Sequence, residues 1–451
     1  MRHLRAFLGL LWVLALLAPA AARETISLDG TWRFATDVGD IGEAQHWFAP
    51  GASMAAMPLA GYAPRADGTI QVPGIWDQQG YGVDTEKIKH HFVGFGWYKK
   101  TVSIPASWEG NDIFLVLGGI SRQARVWVNG ARAGEDLIGP VGSFTVDITG
   151  LVKYGEENDI TIRVDSHQHW EVDAILGGSS LNDYMEIEWG GLWGHVTLQA
   201  RPKERIEDLY LMTDLAESSC TAQADLIGKT SADAVKIEVF DADGEPVAEG
   251  VSPITSSERV SAAAVIASPK LWSPDTPDLY TVRLSLMAGE TVLDSLESRW
   301  GMREFTKEGT RLLLNGKPIY LTGYGDDHIY PYEYSMPTNK QMYKARLAVI
   351  KSFGFNHVRN HSTILPHEYY EACDEMGMIP TGEFPIGYPE QLPGGSLWLK
   401  KVPAGTPEEP ALDTYRDRFA QVVREYRNHP SILIWIMGNE LWGGKIGRAH
   451  V

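Results

Sequence analysis

The sequence predicts a multidomain chain in which two β-sandwiches are followed by an α/β region. Three observations predict it. The 451 residues suffice for two to four domains at roughly 100–200 residues each. As far as about residue 302, short β-branched and aromatic runs alternate with turn chemistry, and no long helical period intervenes. After Phe305 strands begin to alternate with helices, the mark of an α/β layer.

Residues 1–22 stand apart from the fold. Arg2 and Arg5 give a positive start, Ala6 to Leu17 is almost purely apolar, and Ala18-Pro19-Ala20-Ala21-Ala22 supplies small residues for cleavage. This is the pattern of a secretory signal peptide, and the run is short for a membrane span. The expected location is therefore periplasmic or secreted, with no membrane association after cleavage; an uncleaved anchor is the alternative.

Residues 23–202 carry Ile113-Phe114-Leu115-Val116-Leu117, Ala124-Arg125-Val126-Trp127-Val128 and Asp159-Ile160-Thr161-Ile162-Arg163-Val164, separated by turns such as Asn129-Gly130 and Glu109-Gly110-Asn111. They read as a jelly-roll-type sandwich, with Trp32, Trp97 and Trp127 as core. Residues 203–302 alternate as half-buried strands do at Asp208-Leu209-Tyr210-Leu211, Val235 to Phe240 and Leu279 to Leu284, with a hairpin at Asp243-Gly244. That length and pattern suit an immunoglobulin-like β-sandwich without its disulfide.

In residues 303–444 the Asn315-Gly316 hairpin leads into Ile319-Tyr320-Leu321-Thr322-Gly323. Met342, Ala345, Val349 and Phe353 predict the buried face of a helix. Asn356-His357-Val358-Arg359 predicts a strand, Pro366 opens a helix through Met376, and Met378-Ile379-Pro380-Thr381 is the next strand. Residues 385–410 read as a long loop. Leu412, Tyr415, Phe419, Val422 and Tyr426 step at three and four, and Ile432 to Met437 is an unbroken apolar run, as expected of a strand buried on both faces. A barrel and a doubly wound sheet both fit.

Composition excludes several classes. Hydrophobic residues make up 44% and charged residues 22%, which excludes global disorder. Lys+Arg 40 against Asp+Glu 58 gives a net charge of −18, so no basic footprint for a nucleic-acid partner exists. The two cysteines, Cys220 and Cys373, cannot build a disulfide framework and are expected free and buried.

Polar residues at the C-terminal ends of barrel strands face the active site. Those ends carry Asp326-Asp327-His328, then Arg359-Asn360-His361, then Glu383, then Asn439-Glu440. Glu440 follows a run of apolar residues at once, an environment that raises a carboxyl pKa and suits it to donate a proton near neutral pH. Glu383 is expected either to line a substrate site or to pair with Arg359. Asp327 is favoured over Asp326, since adjacent side chains rarely face one pocket. His328 and His361 are site candidates or satisfied loop histidines. Trp398 and Trp442 lie where flat stacking on a sugar ring is expected. No fixed metal-ligand spacing, nucleophile elbow, P-loop or dinucleotide fingerprint occurs.

The chain resembles glycoside hydrolase family 2, which holds β-galactosidases, β-glucuronidases and β-mannosidases. The matching segments come in order: Leu28-Asp29-Gly30-Thr31-Trp32, Val72-Pro73-Gly74-Ile75-Trp76, Gly96-Trp97-Tyr98, Val126-Trp127-Val128-Asn129-Gly130, Leu271-Trp272-Ser273-Pro274, Leu314-Asn315-Gly316-Lys317-Pro318, and Asn428-His429-Pro430-Ser431 with Asn439-Glu440. The resemblance implies a sugar-binding jelly roll, an immunoglobulin-like sandwich and a (β/α)8 TIM barrel. It also implies an exo-acting retaining β-glycosidase acting on a terminal β-linked sugar of an oligosaccharide or glycoside. Glu440 matches the general acid/base and Asn439 its neighbour on the sugar 2-hydroxyl. Asp327, His328, Arg359, His361, Glu383 and Trp442 are expected to bind substrate. Arg359-Asn360-His361-Ser362 and Tyr324-Gly325-Asp326-Asp327-His328 depart from the family's usual order, which leaves the sugar open. No cofactor is required by the sequence; a Mg or Na ion occurs in some members, and a homo-oligomer is a possibility for the full-length protein.

The barrel is expected to be incomplete. Residues 303–444 hold about four strand–helix units, against eight in roughly 250 residues for a closed barrel. The nucleophile that a retaining enzyme needs is expected to be absent from the chain, leaving it inactive. Lys445-Ile446-Gly447-Arg448-Ala449-His450-Val451 resembles an in-frame translation of a common sequencing adapter, a non-native tail; a natural short terminus is the alternative. A non-catalytic carbohydrate-binding or scaffold protein is the rival functional class.

Overall fold

The computed structural model describes residues 23–55, 68–84, 90–137, 142–167, 189–328, 336–361, 363–384, 412–436 and 438, without the side chains of 412–415. Asn439, Glu440, Trp398, Trp442, the loop 385–410 and the segments 1–22 and 445–451 lie outside the described residues.

The first sandwich pairs a four-stranded sheet, in the order Glu24–Ser27, Val196–Arg201, Asp112–Leu117 and Phe144–Asp147, with a six-stranded one. The six run Thr69–Val72, Gly30–Asp37, Phe95–Ser103, Glu157–Asp165, Gln123–Val128 and Ala131–Asp136. All these pairings are antiparallel. Period-two alternation turns Ile113, Leu115 and Leu117 inward together with Leu198, Ile160 and Ile162. Trp32, Trp97 and Trp127 are buried as expected. Asn129 and Gly130 both take positive φ, which a two-residue hairpin turn requires.

The second sandwich packs three strands, Arg205–Asp214, Ser219–Ile227 and Arg259–Val265, against four, Pro246–Pro253, Ala234–Phe240, Tyr280–Ala288 and Thr291–Trp300. Its core includes Ile237, Val282, Leu284 and Cys220. Cys220 and Cys373 are both free and buried. Burial pushes the Cys220 thiol up to about 12, so it is inert at neutral pH.

The third unit begins with an antiparallel sheet of Phe305–Glu308, Arg311–Leu314 and Lys317–Ile319. The parallel strands follow: β1 (Gly323–Asp326), β2 (His357–Asn360), β3 (Ile379–Glu383) and β4 (Ile434–Ile436). Helices α1 (Lys340–Ser352), α2 (His367–Met376) and α3 (Leu412–Tyr426) alternate with them. The strands neighbour one another in chain order, all parallel. Sequential order without a switch point is barrel topology and decides against the doubly wound alternative.

The run Ile319 to Gly323 joins two elements: Ile319 ends the antiparallel sheet, and β1 starts at Gly323 and ends at Asp326, where the sequence put the end of the first strand. Two sequence expectations need correction. The face of α1 that packs inward carries Tyr343 and Leu347, whereas Met342, Ala345, Val349 and Phe353 are exposed. A period marks an apolar stripe but not which neighbour it meets. Only α2 flanks α1 among the described helices, so the stripe faces outward. Finally, Ile434 to Ile436 are half-buried rather than buried on both faces. Among the described residues β4 pairs with β3 alone, and an edge strand lacks a covering neighbour on one side.

Candidate active site

The parallel strands bring Arg359 and Glu383 together. Asn360 reaches Tyr369 on α2, with the tyrosine hydroxyl donating to Asn360 Oδ1 at 2.9 Å, so that face of β2 meets the helices. Alternation then turns Arg359 toward the barrel axis. Its guanidinium forks onto Glu383 at the end of β3, Nε to Oε2 at 3.1 Å and Nη2 to Oε1 at 3.2 Å. Glu383 is fully buried while the Arg359 side chain is 41% exposed. Of the two roles expected for Glu383, this geometry shows the ion pair. A bidentate fork fixes the carboxylate plane as well as its charge.

Asp327 and His361 sit together at the strand ends, with Asp327 Oδ1 3.3 Å from His361 Nδ1. Asp327 is largely exposed and His361 half-buried. Asp326, the weaker candidate by sequence, is buried and held by Arg346 of α1 at 2.5 Å and by the Tyr324 hydroxyl at 3.0 Å. Burial raises its carboxyl pKa, but the Arg346 charge and the hydrogen bonds from the His328 backbone N–H and the Tyr324 hydroxyl outweigh that and leave it below the ordinary value.

His328 is placed differently from Asp327. It takes a positive φ of 54°, which turns the chain back so that its backbone N–H donates to Asp326 Oδ1 at 2.9 Å. Its Nε2 meets Asn360 Oδ1 at 3.0 Å and its ring stands edge-on to Tyr369. It is therefore buried on the helix side of β2. Burial holds it neutral, below its ordinary pKa. Neutral imidazole donates from Nε2 to the Asn360 carbonyl, and Asn360 in turn donates to Thr381 O at 2.8 Å. Asn360 is thus the hub that locks β1, β2, β3 and α2 in register. The sequence signal for it was an amide among strand-end residues, too common to single out.

A second feature invisible to local pattern is the clamp on the turn that launches β4. Asp374 of α2 accepts from Ser431 N at 3.0 Å and lies 2.6 Å from His429 Nδ1, and its carbonyl accepts from Trp272 Nε1 at 2.9 Å. Arg303 donates to Pro430 O at 2.8 Å and Ile432 O at 3.0 Å. Asn428 bonds back to Leu211 N at 3.0 Å and Leu209 O at 2.7 Å in the second sandwich. The Trp272 and Asn428-His429-Pro430-Ser431 motifs therefore meet here, and the second sandwich sets where β4 begins. Burial lowers the Arg303 guanidinium to about 10, and the Asp374 charge opposes that shift.

Gly382 has a packing reason. A Cβ there would lie 2.5 Å from Trp435 Cε3, so the Trp435 ring of β4 rests directly on the β3 backbone. Among the described residues no group of three His, Cys, Asp or Glu side chains could hold a metal ion. Among them, too, no helix is long and apolar enough to cross a membrane.

Residues 25–202 match the sugar binding domain of glycosyl hydrolases family 2, residues 204–303 match glycosyl hydrolases family 2, and residues 306–449 match the TIM barrel domain of that family. A putative beta-glucuronidase of Formosa agariphila is 30% identical over 382 residues, covering 83% of this chain and 43% of that protein. A beta-glucuronidase of Paenibacillus borealis is 25% identical, covering 93% and 68%. A beta-galactosidase of Thermoanaerobacter pseudethanolicus is 28% identical, covering 75% and 44%. The fold is similar to that of a solved beta-glucuronidase from Ruminococcus gnavus, with a TM-score of 0.70, 21% identity, and coverage of 92% and 66%. The chain thus spans less than half the length of two of these relatives.

Proposed function

The chain belongs to glycosyl hydrolases family 2, and from that premise we propose that it carries the acid/base half of an exo-acting retaining β-glycosidase for terminal β-glucuronides or β-galactosides. One observation carries the reading. Glu383 and Ile436 are register partners, and Glu383 shares the axis side of the sheet with Arg359. Glu440 follows Ile436 by four positions in the sequence, and its match to the family's acid/base motif supports the role proposed here. Glu440 then protonates the glycosidic oxygen as it leaves, and afterwards removes the proton from the incoming water. Asn439 holds the sugar 2-hydroxyl, where a hydrogen bond strengthens as the oxocarbenium character develops. Arg359, held by Glu383, together with Asp327 and His361, borders the sugar subsite, and Trp442 stacks on a ring face.

A retaining reaction also needs a nucleophilic carboxylate about 5–5.5 Å from the acid/base, and we propose that none of this chain's carboxylates serves as one. The protein acts in the periplasm or outside the cell, on the strength of the Arg2–Ala22 pattern.

The test is a nitrophenyl glycoside panel. This chain is expected to release no nitrophenol above buffer background. A longer protein that joins residues 23–444 to the second half of a family 2 barrel is expected to hydrolyse β-glucuronide or β-galactoside with retention. Enzyme-like turnover by residues 23–444 alone would overturn the division of the site. Sugar binding without hydrolysis by the longer protein would favour the non-catalytic rival.

A further inference from the structure

The seam between the sugar binding domain and the barrel runs through an imidazole. His195 enters the strand Val196–Arg201, and its ring lies between two carboxylates. Nδ1 is 2.6 Å from Asp29 Oδ2 and Nε2 is 3.1 Å from Glu368 Oε1. Asp29 belongs to the first sandwich, where its other oxygen accepts from Val196 N at 3.0 Å. Glu368 belongs to the first turn of α2. An ionised carboxylate only accepts hydrogen bonds. Both ring nitrogens must therefore donate, which the imidazolium alone can do. The neutral ring would turn one lone pair onto a carboxylate oxygen.

We propose that His195 is a proton-dependent latch that docks the sugar binding domain onto the barrel, closed as the imidazolium and released when that proton is lost in alkali.

The surroundings fit a latch rather than an isolated surface pair. Ile75, Trp189 and Trp193 of the sandwich pack in one buried cluster with Met336, Tyr343 and Tyr369 of the barrel. His195 lies two residues after Trp193 in the chain and meets α2 through Glu368. Further along the same seam, His367 of α2 is 3.4 Å from Glu425 Oε1 of α3 and 3.2 Å from His429 Nε2. Glu425 Oε2 accepts from Ser143 N of the sandwich at 3.0 Å. Arg418 of α3 reaches Asp136 of the sandwich at 2.6 Å. The charged groups facing His195 and His367 are therefore Asp29 from the sandwich, Glu368 and Glu371 from α2, and Glu425 from α3, while Asp374 faces His429.

The direction of the pH effect follows from the pairings. The Glu368 hydrogen bond, helped by Asp29 and opposed by burial, raises His195 from 6.5 to about 9. A folded-state pKa above the unfolded one means that the contribution is complete below about 6.5 and is lost as pH climbs through about 9. Burial pushes the Glu368 carboxyl up, but the His195 hydrogen bond and the charges of His195 and His367 leave it below its ordinary range. The seam therefore also weakens in acid, and docking is tightest at neutral pH.

Hydrogen–deuterium exchange on the whole chain between pH 6.5 and 10.5 reads the latch directly, once rates are corrected for base catalysis. In the unaltered protein, corrected exchange in peptides covering residues 189–197 and 365–371 is expected to rise at least about tenfold through pH 9, one decade being the free-energy equivalent of one pKa unit. In His195→Gln the same peptides exchange fast already at pH 7 and show no step. In Glu368→Gln, which keeps one partner charged, the step moves down by at least about one pH unit. A flat profile in the unaltered protein, or an unmoved step in either variant, would overturn the proposal. If His195→Gln does not fold, the Glu368→Gln midpoint decides alone.

Discussion

Glu440→Gln, in the enzyme that unites these strands with their nucleophile, is expected to lower turnover of β-glycosides with poor leaving groups by about 10²–10⁴-fold. The amide keeps the shape of the carboxyl and loses only its proton. A retaining reaction uses that proton twice, first on the departing oxygen and then from the attacking water. An activated nitrophenolate leaves without help, so the first step is spared for such substrates and the second stays slow. The glycosyl-enzyme then accumulates, and both kcat and KM fall while kcat/KM holds. The expected record is a burst followed by slow steady state for dinitrophenyl substrates, and near silence for alkyl glycosides. An equal loss across all leaving groups would remove Glu440 from the proton-donor role.

Arg359→Ala is expected to destabilise the barrel region by about 2–4 kcal/mol, because it removes a two-pronged guanidinium fork from a buried carboxylate. The figure sits below the upper end of that range because Arg359 is 41% exposed and water screens part of its charge. Replacing both residues together, Arg359→Met with Glu383→Leu, is expected to recover most of the loss, since the desolvation cost disappears with the charge. Exchange protection of the β2 and β3 amides against urea is the measurement. A global melting curve would mix three domains and is not two-state. Unchanged protection in Arg359→Ala would show that Glu383 is held by other groups.

The two sandwiches were legible because their cores announce themselves twice, in period-two runs and in turns that demand particular residues. Asn129-Gly130 and Asp243-Gly244 both mark hairpins that the structure contains. The alternation of strands and helices after Phe305 was equally plain, yet it left the barrel and the doubly wound sheet equal. The family resemblance favoured the barrel, and the spatial order of β1 to β4 agrees with it. The stripe on α1 shows the limit of periodicity: Met342, Val349 and Phe353 are spaced for a buried face, but burial depends on a neighbour the stripe itself does not specify. At the site, Arg359 and Glu383 could be read from strand ends. Asn360, Asp374 and Arg303 could not, because their partners lie in other elements and no local spacing links Asp374 to Trp272 or Ser431. His195 was missed for the same reason: Asp29 and Glu368 are brought to it by the docking of two domains.

Azide rescue of Glu440→Ala is the most direct examination of the catalytic reading, carried out in a chain that joins residues 23–444 to the second half of a family 2 barrel. With an activated β-glycoside and added azide, the small anion enters the space left by the carboxyl and attacks the glycosyl-enzyme without needing a base. Restored turnover with a β-configured glycosyl azide as product is the predicted result. No rescue, or a product of α configuration, would contradict a proton-shuttling carboxyl at position 440 in a retaining enzyme.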